Sequence, residues 1–501
     1  MHLKRTICVE FVTILSKIVQ ILWRKHSMKN SQLTEILRSF DKTEFREFEK
    51  FVKSPYFNNR SEIIRYLYSI KKFHPKFDSG SLKEENIFKH VYPGKKYNPV
   101  LMRKLNSLTM NLIMDFIAVK GFRENKFEYN IKLFDKLRER KLPELFEKKS
   151  NKFNEILANS KHDIYYYEYK LKHTSILNGH LLNTNEKSMV SKLQNELDEL
   201  IEYFLVAALL QYIRLGEWSR IINKKFDQKF LDEVLNYFSS RKKGEITLSY
   251  LYYNMLMLMN TEEEKYYNEL INSRNKFESR LSKMDDYNIS IVSMQYCHKR
   301  VMKGDEEFRK EQFEITKQVL DKDLIPAGFI EPYFFTNTVR NASGLNEFEW
   351  SESFIERYKN MLNPDISREI IDYSFAMIES GRGNFELSLN HLSKINIERS
   401  NMKIEIKNLL IIIYYELKYL EELVSLIDTY KHFLQREKSI TEKIRKLNSL
   451  FLKFVSDLVK IYHNGKYDDA KILKKEIDKA SYFNLKDWLS KKADELINQL
   501  R

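Results

Sequence analysis

One pattern recurs through the second half of the chain: an aromatic residue opens a helical stretch, and apolar residues follow at three- and four-residue spacing. It stands as Gly383-Asn384-Phe385-Glu386-Leu387-Ser388-Leu389, as Lys418-Tyr419-Leu420-Glu421-Glu422-Leu423 and as Gly465-Lys466-Tyr467-Asp468-Asp469-Ala470. Phe385 and Tyr419 are 34 residues apart, a period that fits two helices and their turns. A helix pair of that size cannot bury its apolar face alone and must stack on further pairs, which gives an extended surface rather than a closed pocket. Tyr267, Phe308 and Phe348 mark earlier second-helix starts, and the whole series has separations of 41, 40, 37, 34 and 48 residues. Ser351, Ser388 and Ala470 stand three positions after their aromatics, where a small side chain lets the second helix lie close on the first. Glu422 takes that place after Tyr419, so this pair packs differently. Leu485 to Leu500, with Trp488, Leu489, Ala493, Leu496 and Leu500 on one face, is expected to cap the array.

Only 12 glycines and 8 prolines occur in 501 residues, about 4% against roughly 12% on average. So few turn residues exclude an all-β fold or repeated βα crossovers. The expected class is all-α, a degenerate helical-hairpin solenoid preceded by a small basic helical module. Four segments are expected: an apolar and basic extension at 1–27, the basic module at 28–120, a long-helix region at 121–245 and the repeat array at 246–501.

The net charge of +15 is unevenly placed, because residues 1–150 hold 32 Lys/Arg against 17 Asp/Glu while the remainder holds 53 of each. Such asymmetry raises an acidic partner as one reading, and solvated helix faces as the simpler one. Cys8 and Cys297 are the only cysteines. They form no paired spacing, which excludes a disulfide framework or a Cys-based zinc site and fits a reducing compartment. Cys297 and His298 are helix neighbours whose side chains diverge by about 100°, so a buried structural cysteine is expected rather than a nucleophile with its base.

Near the start, Ile7, Cys8, Phe11, Val12, Leu15, Ile18, Val19 and Leu22 form an apolar stripe interrupted by Glu10 and Lys17. It lacks the features of a secretory signal or a membrane span. It reads as an interfacial helix over 6–23, as an ordinary first helix, or as sequence preceding a natural start at Met28, the reading preferred here. The longest later apolar run, Phe204 to Leu210, is too short to cross a bilayer. A cytoplasmic location without membrane association is therefore expected.

Along the module, Asp41 and Glu44 form a helix-start signature, with Phe45, Phe48, Phe51 and Val52 on one face. Pro55 ends that helix, helices are predicted over 61–73 and 83–91, and Pro99 opens a long helix. Long helices are predicted over 122–141, 144–177 and 187–214. Within the second, Tyr165-Tyr166-Tyr167-Glu168-Tyr169 is expected to divide between core and solvent.

The stretches Gly344-Leu345-Asn346-Glu347-Phe348-Glu349-Trp350, Phe354-Ile355-Glu356-Arg357-Tyr358 and Ile413-Tyr414-Tyr415-Glu416-Leu417, with Ser54-Pro55-Tyr56-Phe57-Asn58 near the start, resemble a family of uncharacterised bacterial tetratricopeptide-like helical proteins. The resemblance covers about residues 30–500. It implies an architecture and no activity, and carries no catalytic residues with it.

Chemistry-bearing motifs are missing from the sequence. There is no His-Glu-x-x-His, no phosphate-binding Gly-x-x-x-x-Gly-Lys-Ser/Thr and no Gly-x-Ser-x-Gly elbow. Gly381-Arg382-Gly383 reads as a turn between helices, and the acidic runs at 262–264 and 305–307 as helix starts. No cofactor or metal is expected. The leading function is a non-catalytic scaffold that binds a peptide or helix of a protein partner, through Tyr333, Phe334, Phe335, Arg340, Trp350, Tyr373 and Tyr414. The alternative is nucleic-acid binding by the first 150 residues, with Lys71, Lys72, Lys95, Lys96, Arg103 and Lys104 on phosphates. An enzyme whose site no local motif reveals comes third.

Overall fold

The computed structural model describes residues 31–181, 189–222, 224–240, 246–396, 402–438, 440–464, 467–480, 483 and 485–501. The 6–23 segment, Cys8, Met28 and the Gly465-Lys466 pair lie outside them. The described residues form 23 α-helices and no β-strand. The chain divides into two compact units, one ending at Phe153 and one beginning at Asn154.

The first unit contains α1 (Gln32–Ser39), α2 (Lys42–Lys53), α3 (Ser61–Lys71), α4 (Glu84–Val91), α5 (Pro99–Glu124) and α6 (Lys126–Glu139), and α7 (Pro143–Ala158) carries the boundary. Asp41 caps α2, its Oδ1 accepting the N–H groups of Thr43 (2.7 Å) and Glu44 (2.8 Å). The Glu44 carboxylate turns to Lys120 Nζ (3.0 Å) instead of back to the cap. Helices α1, α2 and α3 all pack on α5. Phe40, Phe48 and Phe51 surround the Phe116 ring, with centroids 5.7, 5.3 and 5.6 Å away. The Ser54-Pro55 turn folds Phe57 flat onto Phe51 at 3.9 Å, and Asn58 Nδ2 secures it by donating to the Val52 carbonyl (2.9 Å).

The second unit opens with α8 (Ile164–Leu181), α9 (Met189–Ile222), α10 (Leu231–Ser240), α11 (Leu248–Thr261) and α12 (Glu264–Phe277). It continues through α13 (Lys283–Val301), α14 (Glu307–Asp321), α15 (Pro332–Gly344), α16 (Phe348–Tyr358), α17 (Ser367–Arg382) and α18 (Phe385–Ser393). Helices α19 (Lys403–Glu416), α20 (Leu420–Arg436), α21 (Glu442–Asn464), α22 (Tyr467–Lys479) and α23 (Lys486–Gln499) complete it. From α10 onward each helix packs on the next, and α9/α11, α11/α13, α15/α17, α17/α19 and α21/α23 also touch. Helix α23 turns back on α19: Trp488 Nε1 donates to Glu416 Oε1 (3.0 Å) and Lys492 pairs with the same carboxylate (2.8 Å).

The single helix predicted over 144–177 does not form. Asn159 Nδ2 and Ser160 Oγ bond the carbonyls of Glu155 (2.8 Å) and Leu157 (2.7 Å). Asp163 Oδ1 then accepts the Tyr166 N–H (2.9 Å) to begin a new helix. The start predicted at 122 also shifts, because α5 runs to Glu124 and Asn125 caps α6. In α8, Tyr166, Tyr167 and Tyr169 are buried and Tyr165 is exposed.

Phe348, Phe385 and Tyr467 are the first residues of α16, α18 and α22, Tyr419 is the N-cap of α20, and Phe308 lies in the first turn of α14. Ser351, Ser388 and Ala470 are fully buried, and Ser388 Oγ donates to the Ala376 carbonyl of α17 (2.6 Å). Gly381 lies inside α17, where a Cβ would stand 2.9 Å from the Phe348 ring, while Gly383 ends the helix at φ 83°. Beside this contact the Arg382 guanidinium covers the same ring at 5.3 Å and pairs with Glu352 (2.6 Å) and Glu379 (2.9 Å). Arg300 repeats the arrangement at the end of α13, 4.5 Å over Phe308 and paired with Glu264 and Asp305, each at 2.6 Å.

Replacing Gly381 with Leu is expected to cost about 1–3 kcal/mol by overpacking against Phe348. Gly121→Ala, at a helical site with nothing within 4 Å of the new methyl, is expected to gain up to about 1 kcal/mol from helix propensity. Urea denaturation of both variants checks the pair, and equal effects would contradict the close Gly381 contact.

Candidate partner-binding site

Arg340 lies on α15, half-buried. Its guanidinium donates to Asn337 Oδ1 one turn earlier and to the Tyr373 hydroxyl on α17 (3.3 Å). Tyr333, two turns before Arg340 on the same helix, is 56% exposed and contributes to the field at the guanidinium. Glu405, near the start of α19, acts on both Arg340 and Tyr373. On α13, burial and then the charges of Arg340 and Arg309 hold the His298 pKa down to about 4. Arg340 thus anchors a polar row between α15 and α17, with Glu405 of α19 and His298 of α13 in its electrostatic reach. That arrangement suits a carboxylate or backbone carbonyls.

Of the seven candidates, the structure brings Arg340 and the Tyr373 hydroxyl together, with Tyr333 exposed two turns before Arg340 on the same helix. Phe335 is fully buried, with its ring 4.9 Å from Phe354. Neighbouring Phe334 is also buried, near Tyr287 of α13. Trp350 stacks on Phe354 at 5.6 Å and meets Phe313 edge-on at 4.8 Å. Tyr414 packs against the core formed by α19 to α23. Phe335, Trp350 and Tyr414 therefore hold helices together.

The six basic candidates of the first unit are all exposed. Lys71 pairs with Glu49 at 2.5 Å, and hydrogen bonds from Lys53 and Lys71 lower the Glu49 pKa to about 2. Lys72 lies over Phe73 (5.1 Å) and Lys95 over Tyr92 (5.5 Å), while Arg103 Nε donates to the Pro99 carbonyl (3.3 Å). The Tyr92 turn, with Lys95 and Lys96, is tied to the first half of α3 by Arg65, whose Nε donates to the Val91 carbonyl (3.1 Å). Lys71 and Lys72 close the other end of α3, on the order of 10 Å further along its axis. Arg103 and Lys104 stand in the opening turns of α5.

Sequence reading missed a cavity of about 520 Å³ between the ends of α12 and α14 and the start of α13, lined by Lys161, Lys276, Glu278, Lys283, Asp286 and Lys322 among others. Behind it Arg274 and Asp286 form a buried ion pair at 2.5 Å. Lys322 pairs with Glu278 (2.6 Å), Lys283 with Asp323 (3.2 Å), and Lys161 donates to the Ser279 carbonyl (2.7 Å). No local motif announces the Arg274 pair, because its partners come from separate helices.

Cys297 is buried, its thiol 3.3 Å from the Tyr267 hydroxyl, and burial pushes its pKa up to about 12. A protonated, enclosed thiol is no nucleophile. Among the described residues no group of three or more His, Cys, Asp or Glu side chains is arranged to hold a metal ion, and no helix is long and apolar enough to cross a membrane. No family model, curated protein or solved structure matches the chain.

His173 is likewise held to about 4 by burial. Both histidines should titrate near 6.5 when unfolded, so the unfolded state binds more protons between about pH 6.5 and 4 and stability falls as the pH drops through that window. Glu49 and Glu262, lowered to about 2, lose their contributions only below about pH 4.5, so they are silent above it. The His173→Asn/His298→Asn double variant is expected to lose a smaller part of its Tm between pH 7 and 5 than the parent, measured by thermal denaturation. An unchanged difference would contradict the buried neutral histidines.

Proposed function

We propose that this chain is a non-catalytic protein–protein interaction scaffold. In this reading residues 246–501 are a tetratricopeptide-like helical-hairpin array, in which the first helices of successive pairs hold a peptide or helix of a protein partner. We place it with the uncharacterised bacterial tetratricopeptide-like proteins that it resembles, working in the cytoplasm. Support comes from packing between helices one and two apart in the chain and from the recurring aromatic and small residues at second-helix starts. Both fit an array in which each pair is stabilised by its neighbours.

The observation that carries the binding reading is the half-buried Arg340, fixed by Asn337 and Tyr373 on the helix that also carries the exposed Tyr333. Arginine and tyrosine dominate interface hot spots, and a side chain already immobilised loses little further entropy on binding. Affinity capture on the full chain with and without nuclease, read by mass spectrometry, tests it. Protein partners are expected to survive nuclease and to fall at least tenfold in the Arg340→Glu variant. Partners that vanish with nuclease and ignore Arg340→Glu would move the reading to nucleic-acid binding by the basic unit.

A further inference from the structure

The ends of α12 and α14 and the start of α13 enclose the cavity of about 520 Å³. That volume lies in the range of about 300–1,000 Å³ typical of small-molecule sites. Leu281 and Leu324, both buried, give it an apolar patch. One side is tied to the turn after α12 by two bonds of 2.7 Å. Lys161 Nζ donates to the Ser279 carbonyl, and the His162 N–H donates to the Arg280 carbonyl.

Cations on the wall outnumber the acids. Lys161, Lys276, Lys283 and Lys322 stand there with only Glu278 and Asp286. Two of the lysines are neutralised, Lys322 by Glu278 and Lys283 by Asp323. Asp286 is committed to the buried Arg274. Among the described residues, no carboxylate pairs with Lys161 or Lys276. The Glu278 carboxylate is held below its ordinary pKa by Lys322 first, and also by the charges of Arg274 and Lys161. Arg274 itself, 3% exposed, keeps an Nη2 group with no hydrogen-bond partner.

Two positive charges in excess match a phosphate monoester, which carries about −1.5 to −2 at neutral pH. Lysine binds phosphate as a point charge, whereas a planar carboxylate is better served by an arginine fork. Ser282 and Lys283, at the start of α13, lie on the same wall, where the positive end of the helix favours the same charge. Phosphate alone leaves most of the cavity unfilled. Asn275, Ser279 and Ser282 suit the hydroxyls of a sugar, and the Leu281 and Leu324 patch suits a flat ring.

We propose that this cavity binds a small phosphate monoester of mononucleotide size, with Lys161 and Lys276 on its phosphate. The site belongs to the second unit alone, is separate from the Arg340 row and does not rest on the scaffold reading.

Isothermal titration calorimetry of the full chain at fixed ionic strength tests it. The probes are AMP and adenosine, ribose 5-phosphate and ribose, and inorganic phosphate. At least one of the two monoesters is expected to bind at a single site, at least tenfold more tightly than its unphosphorylated counterpart and than inorganic phosphate. Lys161→Gln/Lys276→Gln is expected to weaken that binding at least tenfold, with circular dichroism and Tm unchanged in the absence of ligand. Lys276→Gln alone, which breaks no ion pair, is expected to weaken it at least threefold. Arg103→Gln/Lys104→Gln removes the same charge from the first unit and is expected to bind as the parent does. Failure of both monoesters to bind, or equal binding by the two Lys276 variants and the parent, would overturn the proposal. Inorganic phosphate binding as tightly as the monoesters would overturn it in favour of a bare ion site. Loss of binding in the first-unit variant would overturn it by moving the phosphate to the basic first unit.

Discussion

The Phe348 ring rests on the bare backbone of Gly381, and the spacing of the helices around it depends on that contact. With no Cβ in the way, α17 approaches the start of α16 closely enough for Arg382 to cover the ring and reach Glu352. Phe308 and Arg300 repeat the device without the glycine. At Tyr419 it takes a third form, the hydroxyl donating to Glu386 at the start of the preceding second helix (2.8 Å). A cation over a ring adds about 1 kcal/mol at such partly exposed sites, which is modest. Its larger effect is on direction, because the arginine's carboxylate partners define where one helix ends relative to the next.

Charge follows the same economy. Residues beyond 150 balance 53 basic against 53 acidic groups, and many pairs fall at helix ends: Lys299 and Lys303 on Glu262, Lys492 on Glu416. Exposed pairs of this sort contribute little individually, yet they replace turn residues that the chain mostly lacks. Glu262 shows the exchange, adopting φ 56° where a glycine is usual. In the first unit Glu49 engages two lysines and Lys120 engages Glu44 and Glu47. Lys72, Lys95, Lys96, Arg103 and Lys104 remain exposed on the same unit.

Local rules were legible wherever the physics is local. The Asp41 cap, the Pro99 start, the Gly383 turn and the buried face of Phe45, Phe48 and Val52 all stand as periodicity and capping imply. The break at 159–163 was hidden because Asn and Ser interrupt a helix only when their side chains capture the backbone, which the pattern alone does not decide. Irregular repeat intervals have a plain origin in helix length: the 34-residue interval contains helices of 9 and 14 residues, the 48-residue one helices of 17 and 23. Site residues were harder. Phe335 and Trp350 share the residue types of a binding face, and only packing against Phe354 separates them from Tyr333.

The Arg340 row is polar and already ordered, so occupation there exchanges hydrogen bonds with water for hydrogen bonds with a partner, with small net energy and strong geometric discrimination. Under the proposed scaffold role, discrimination between partners falls to Arg340 and the hydroxyl of Tyr373 that aims it.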